Sequence, residues 1–166
     1  MNFLKKTLTS LVLLSALSTA ATFEQNGIKE GNNRISASAR VSVPDEGDNS
    51  ITLLAQYGHF LTDDIEVMVD LFSNTANSDT FYLLGLGANY YFAKTPTLTP
   101  FVGGQYYNSG LTGNSDLSAN GTKVYLGAHQ FLSENFAITP EAGAQFIDFS
   151  EYSEAYLNVY LTYFFD

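Results

Sequence analysis

Alternation between apolar and other residues recurs along this chain of 166 residues and constrains its fold more than any other feature. The period of two is that of a β-strand, whose successive side chains point to opposite faces. Each alternating run is about 9 to 15 residues long, whereas strands of soluble proteins usually have 5 or 6. The runs are Arg34–Val43, Ser50–Phe60, Ile65–Ser73, Thr80–Phe92, Pro100–Asn108, Thr122–Leu132, Asn135–Phe149 and Glu154–Phe165. The sequence therefore predicts an all-β fold with eight antiparallel strands.

The segments between these runs differ in length in a regular way. LTDD, AKTPTLT and SEN would lie at one end of the sheet, and the longest segment, SGLTGNSDLSANG (residues 109–121), at the other. Strands of this length suit a tilted membrane crossing. Short turns at one end and longer loops at the other are typical of an up-and-down transmembrane β-barrel. A closed barrel also leaves no unpaired strand edge in lipid.

One face of each predicted strand is apolar throughout, and the other carries small or charged residues. In the third run, Ile65, Val67, Val69 and Leu71 alternate with Glu66 and Asp70, among others. Strands that face water would normally carry more Lys and Glu. We therefore expect the apolar faces to contact lipid and the mixed faces to line the lumen. The structural alternative is a soluble exported barrel with an apolar lumen, similar to a lipocalin.

Aromatic residues gather near the ends of the runs, as in the interfacial girdles of membrane barrels. The sequence predicts one girdle at the short-turn end and another at the long-loop end. The first would contain Phe60, Tyr90, Phe92, Phe101, Phe131, Phe136, Tyr163 and Phe165, and the second Phe72, Tyr82, Tyr106, Tyr107, Phe146 and Tyr156.

The first 21 residues have the composition of a cleavable signal peptide. Lys5 and Lys6 precede an apolar stretch that is too short for a membrane helix, and small residues follow it. We therefore predict a signal peptide at 1–21 and a single barrel domain at 22–166. The net charge of −10 argues against nucleic-acid binding, which needs clustered Lys and Arg. With no cysteine, the chain has neither a disulfide framework nor a thiolate metal site.

Two segments carry a family resemblance, TPFVGGQYY (Thr99–Tyr107) and the aromatic-ended last strand (Tyr156–Asp166). With the overall pattern, they make the chain similar to the small eight-stranded outer-membrane barrels, such as the OmpA transmembrane domain and OmpX. The resemblance implies location in a bacterial outer membrane, among its lipids and lipopolysaccharide. It also implies that Tyr163 and Phe165, at the end of the last strand, form the signal that the barrel-assembly machinery reads.

Five charged residues fall on the predicted inner faces: Arg40, Glu66, Asp70, Lys123 and Glu141. We expect them to form an ion-pair network that closes the lumen as a polar plug, because an unpaired buried charge is costly. The functional alternative is a charge gate in a narrow pore for ions or small solutes.

Some small barrels modify lipid A, which would require a histidine base beside a nucleophile. His59 and His129 are the only histidines, and both fall in the half nearer the short turns. The residue two positions after His129 is Phe131, not a serine. The sequence therefore predicts no enzyme and no cofactor, and both histidines are interpreted as polar filler of the lumen or interface.

The predicted outer loops are acidic. Carboxylates there could hold a divalent cation against lipopolysaccharide phosphates, or simply be solvated; they are also the place for an unknown extracellular partner. We expect a monomer with a structural or surface-interaction role. The acidic residues are Asp45, Glu46, Asp48, Asp79, Asp116, Asp148, Glu151 and Glu154.

Overall fold

The computed structural model describes residues 24–42, 50–76, 79–111, 114–147 and 152–166. At 40–42, 76, 79, 111, 114–117, 147 and 152–154 it describes the backbone alone. The predicted signal peptide and most of the acidic loop residues lie outside these ranges. Within them, no helix is long and apolar enough to cross a membrane.

Eight antiparallel strands form a closed barrel in which each strand pairs with its neighbours in the sequence and the last pairs with the first. This confirms the predicted fold. The strands are β1 (Asn33–Ser42), β2 (Ser50–Phe60), β3 (Ile65–Ala76), β4 (Asp79–Tyr91), β5 (Leu98–Leu111), β6 (Asn114–Ser133), β7 (Phe136–Ile147) and β8 (Tyr152–Phe165).

Three short turns and both ends of the described chain lie at one end of the barrel, here called the turn end. The turns join β2 to β3, β4 to β5 and β6 to β7. In the first turn the Thr62 hydroxyl accepts hydrogen bonds from the backbone N–H groups of Asp64 and Ile65. In the second the Thr95 hydroxyl donates to the Leu98 carbonyl oxygen. The opposite end is called the loop end.

The long predicted loop between β5 and β6 is mostly strand, so the prediction for residues 109–121 was wrong. β5 continues to Leu111 and β6 begins at Asn114, leaving only residues 112–113 between them. The Asn108 amide donates to the Asn120 side-chain oxygen over 3.1 Å, and the Ser109 hydroxyl donates to the Ala119 carbonyl oxygen over 3.1 Å. The residues of these paired segments are mostly small or polar on both faces of the sheet. The sequence therefore shows no apolar alternation here from which the strands could be predicted.

Alternation along each strand separates two surfaces. On β2, even-numbered residues from Thr52 to Phe60 are buried, whereas Ile51, Leu53 and Tyr57 are about half exposed. The most exposed large apolar residues of the described chain are Leu86 and Leu126, each at 66%. A barrel of eight strands has an interior that side chains can just fill. The functional groups of the described chain are therefore concentrated in the lumen.

Candidate functional site

The lumen contains a buried ion pair between β1 and β3, whose two residues lie near the turn-end termini of these strands. Arg34 is 1% exposed and Glu66 is fully buried. Arg34 Nε lies 2.6 Å from Glu66 Oε1, and a second guanidinium nitrogen lies 3.2 Å from Oε2. This two-pronged arrangement is the strong geometry for an arginine and a carboxylate. Gly58 on β2 makes room for it, because a Cβ there would overlap the Glu66 carboxylate.

A second ion pair lies nearer the loop end. Lys123 Nζ is 2.8 Å from Asp70 Oδ2, and the Gln105 amide donates to the same oxygen over 3.0 Å. Lys123 Nζ is also 5.6 Å from the centroid of the Tyr156 ring. Tyr156 in turn donates its hydroxyl proton to Glu141 Oε1 over 3.0 Å. Asp70, Lys123 and Glu141 are therefore held in one buried cluster.

A ring of side-chain hydrogen bonds runs around the lumen and includes the Arg34–Glu66 pair. The Ser36 hydroxyl is 2.9 Å from that of Thr162, and Thr162 is 2.8 Å from Thr139. Thr139 Oγ1 is 2.7 Å from His129 Nδ1, whose Nε2 is 3.2 Å from the Tyr91 oxygen. Tyr91 donates to Glu66 over 2.6 Å, and Arg34 donates to Ser36 over 2.6 Å. These seven residues, on strands β1, β8, β7, β6, β4 and β3, are called the polar ring.

The two charged members of the polar ring, Arg34 and Glu66, fix the direction in which its hydrogen bonds are donated. A guanidinium has only donors and an ionised carboxylate only acceptors, so the protons must run from Arg34 toward Glu66. Ser36, Thr162 and Thr139 then each accept one bond and donate the next. Thr139 donates to Nδ1 of His129, and Nε2–H donates to the Tyr91 oxygen. A neutral imidazole with its proton on Nε2 completes the ring without an unused hydroxyl proton.

Below the polar ring, the turn end of the lumen is filled by aromatic side chains. Phe60, Phe101, Phe131 and Phe164 are each at most 2% exposed and pack with Tyr91. The Phe131 and Phe164 ring centroids are 5.1 Å apart, and those of Phe101 and His129 are 5.0 Å apart. These four phenylalanines, with Tyr91, are called the aromatic layer. Its rings fill this end of the lumen, and the Tyr91 hydroxyl joins it to the polar ring.

A segment that precedes β1 lies across the turn end. Ile28 is buried against the aromatic layer, and a Cβ on Gly27 would overlap Phe164. The Asn26 amide donates to the Thr95 carbonyl oxygen over 2.9 Å, and the Glu30 backbone N–H donates to Asp63 over 2.8 Å. The segment is thus bonded to two different turns and covers the lumen between them.

The structure places four of the five predicted network residues in the lumen. Glu66, Asp70, Lys123 and Glu141 are buried, although Glu141 is bonded to Tyr156 and makes no ion pair with any described side chain. The side chain of Arg40 lies outside the description, so its role stays a prediction. Sequence reasoning missed Arg34, which shares the inward parity of Ser36. It also missed the polar ring and the aromatic layer.

The predicted girdles were wrong for the residues that point inward. Phe60, Phe101 and Phe131 belong to the aromatic layer, Tyr107 is buried near the loop end, and Tyr156 is bonded to the inward Glu141. The girdles were assigned by position along a strand, but the face on which a residue lies decides what it contacts. Other members do point outward, as predicted: Tyr82, Tyr90, Phe92, Tyr106, Phe146 and Tyr163 are exposed. Tyr163 stacks on Phe165, with centroids 6.2 Å apart.

The two histidines occupy different surroundings. His129 is fully buried in the polar ring, whereas His59 is on the outer face with Nδ1 3.0 Å from Asn33 Oδ1. No group of three or more His, Asp or Glu side chains in the described part of the chain is arranged to hold a metal ion.

Replacing His129 with leucine is expected to lower the free energy of unfolding by about 1–3 kcal/mol, because Thr139 and Tyr91 lose buried hydrogen bonds. His59→Leu, the control on the outer face, should change it by no more than about 0.5 kcal/mol. Urea unfolding of protein refolded in phospholipid vesicles measures both, and equal effects would show that the polar ring adds no stability.

Comparison with solved structures shows the class of fold. The N-terminal β-barrel domain of Pseudomonas aeruginosa OprF is similar, with a TM-score of 0.65 and 22% sequence identity over 82% of this chain and 98% of that chain. A barrel from a study of de novo design of transmembrane β-barrels has a TM-score of 0.55 and 18% identity, covering 86% and 100% of the two chains. The fold is that of the small eight-stranded transmembrane barrels.

Neisserial surface protein A, NspA, has the same fold, with a TM-score of 0.51 and 16% identity over 80% of this chain and 92% of that one. These matches confirm the predicted resemblance to the small outer-membrane barrels as a likeness of fold. No protein-family model matches the chain, and no curated protein matches its sequence.

Proposed function

We propose that this protein is an outer-membrane β-barrel with a closed lumen and a structural or surface-interaction role. It would be exported by the signal peptide at 1–21 and inserted as a monomer among outer-membrane lipids and lipopolysaccharide. The turn end would face the periplasm, and the loop end, with the acidic segments 43–49 and 148–151, would face outward, where an extracellular partner could bind it.

The observation that carries this proposal is the polarity of the barrel wall. Large apolar residues cover the outside, including Leu84 at 51%, Leu86 at 66% and Leu161 at 58% exposure, while Arg34, Glu66 and Asp70 are buried inside. Soluble monomers rarely expose apolar patches of more than a few hundred Å². An apolar surface that surrounds the barrel is stable only against hydrocarbon, which argues against a soluble lipocalin-like protein.

Fractionation of expressing cells tests the location. We expect recovery in the outer membrane as a band whose gel mobility changes on heating, because a closed barrel resists detergent until it is boiled. Recovery in the soluble periplasmic fraction, with no change on heating, would contradict the proposal.

The filling of the lumen supports a barrel that does not conduct. The aromatic layer and the segment over the turn end leave the polar groups of the ring without a route to the periplasm. In planar bilayers we expect no discrete channel openings. Stepwise openings that persist in the purified, heat-modifiable protein would favour the alternative of a narrow pore.

The positions of the histidines support a role without catalysis. His129 is bonded through both ring nitrogens and buried, and His59 is bonded to Asn33 rather than to a nucleophile. Mass spectrometry of lipid A from expressing cells should therefore show no change in acyl chains. A change that required His129 or His59 would instead establish a lipid-modifying enzyme.

The end of β8 provides a test of assembly. We propose that Tyr163 and Phe165, which stack outside the barrel, are read by the barrel-assembly machinery. Tyr163→Ala with Phe165→Ala should lower the amount of folded barrel in cells and leave spontaneous refolding into vesicles largely unchanged. An equal loss in both assays would mean that the two rings act through stability alone.

A further inference from the structure

The pairing between the first and last strands stops partway along the barrel. β1 pairs with β8 only from Asn33 with Phe165 to Ala37 with Leu161, although β1 pairs with β2 over its whole length. Residues 38–42 and 152–160 are still in strand conformation but make no register pair with one another. The wall between β1 and β8 therefore opens toward the loop end.

A cavity of about 640 Å³ lies where the pairing stops. Its sides are formed by the outward-facing residues Ala37 and Ala39 of β1, Leu53 of β2, and Val159 and Leu161 of β8. The two alanines are short, whereas Leu53 and Leu161 stand on either side of them, so the surface is a groove rather than a flat wall.

The floor of the groove is formed by residues of the inner face. Ser38, Leu54 and Tyr160 line it, and Tyr160 is fully buried. The groove is therefore a feature of the outer surface, closed toward the lumen at Tyr160.

We propose that this groove binds one acyl chain of a membrane lipid. Its sides are hydrocarbon, none of the described residues that line it is charged, and its volume is within the range of about 300–1,000 Å³ common for small-molecule sites. The proposal rests on the membrane location proposed above, because only there would hydrocarbon surround the mouth of the groove.

The unpaired strand edges agree with a lipid that enters from the loop end. Backbone groups without partners cost several kcal/mol each in hydrocarbon. The ester carbonyl oxygens of the lipid would lie where the seam is open and could accept hydrogen bonds from these N–H groups. A second barrel is a poorer occupant, because two convex walls would touch at the rims of the groove without reaching its floor.

Retained lipid can be measured by photochemical crosslinking. The protein is refolded into phosphatidylcholine vesicles that contain phosphatidylcholine with a diazirine on one acyl chain. It is then purified into detergent, washed and irradiated, so that only tightly held lipid reacts. We expect adducts, mapped by mass spectrometry, to concentrate at residues 37–39 and 159–161.

Ala39→Phe should reduce these adducts by about tenfold or more, because a ring in place of a methyl group overfills the groove. The matched control is Ala142→Phe on β7, where pairing with Leu126 and Leu157 is continuous. The control should keep the adducts of the original protein. Both variants must show the heat-dependent mobility of a folded barrel.

Several outcomes would overturn the proposal. Adducts spread evenly around the apolar surface, or unaffected by Ala39→Phe, would mean that no groove site exists. The chain has no cysteine, so Ala39→Cys can also be oxidised cleanly; dimers formed by Ala39→Cys but not Ala142→Cys would assign the groove to a second copy. Protein that never enters the vesicles would overturn the proposed function as well, whereas inserted protein without retained lipid overturns the groove alone.

Discussion

Arg34→Met is expected to lower the free energy of unfolding by about 3–5 kcal/mol, because it leaves the Glu66 carboxylate buried without its ionic partner. Asn89 and Tyr91 still donate to Glu66, but neither carries a compensating charge. Urea unfolding in phospholipid vesicles, followed by the gel mobility of unheated samples, measures the loss.

Two further variants separate the charge from the packing. Arg34→Met with Glu66→Met should recover most of the loss, since an apolar pair of similar volume often replaces a buried ion pair at little cost. Lys94→Met removes the partner of Asp64 in an exposed turn and should cost no more than about 1 kcal/mol. An effect of Arg34→Met as small as that of Lys94→Met would contradict the assignment of Arg34 to a buried pair.

Phe164→Ala is expected to destabilise the barrel by about 3–5 kcal/mol, because it opens a cavity in the aromatic layer. Phe164 packs against Phe131, Phe60 and the edge of His129, and it is fully buried. The measurement is again urea unfolding in vesicles after spontaneous refolding, which excludes any effect of the assembly machinery.

The neighbouring residue provides the control for Phe164. Tyr163 has the opposite parity and faces outward, so Tyr163→Ala creates no internal cavity and should cost about 1 kcal/mol. If the two variants were equally destabilised, the inward and outward faces of β8 would have been assigned wrongly. Paired residues of neighbouring strands lie on the same face of the sheet. That result would therefore mean that the inward and outward faces of all eight strands had been exchanged.

Alternation was sufficient to predict the eight strands and their two faces, because side-chain direction in a strand depends only on position. It also placed Glu66, Asp70, Lys123 and Glu141 on the inner face. Arg34 could have been found in the same way, since it precedes Ser36 by two residues. The same parity applied to Phe60, Phe101 and Phe131 would have removed them from the girdle.

The polar ring could not be predicted from the pattern. Thr139 meets His129 because β6 and β7 are neighbours, but His129 meets Tyr91 across β5, which contributes no member. Such a contact depends on the diameter and stagger of the barrel and on the rotamers of long side chains. Alternation carries no information about these quantities, so it identifies inward residues without identifying their partners.

The bond between Ser36 and Thr162 joins β1 to β8 close to the place where their backbone pairing ends. If β1 and β8 separated from the loop end, no backbone pairing between them would have to break before this position. Further separation would have to break the hydrogen bond between Ser36 and Thr162, which is part of the polar ring. Among the β8 amides that point toward β1, hydrogen exchange should accordingly be fast before Tyr160 and slow after it, whereas the amides paired with β7 should exchange slowly along the strand.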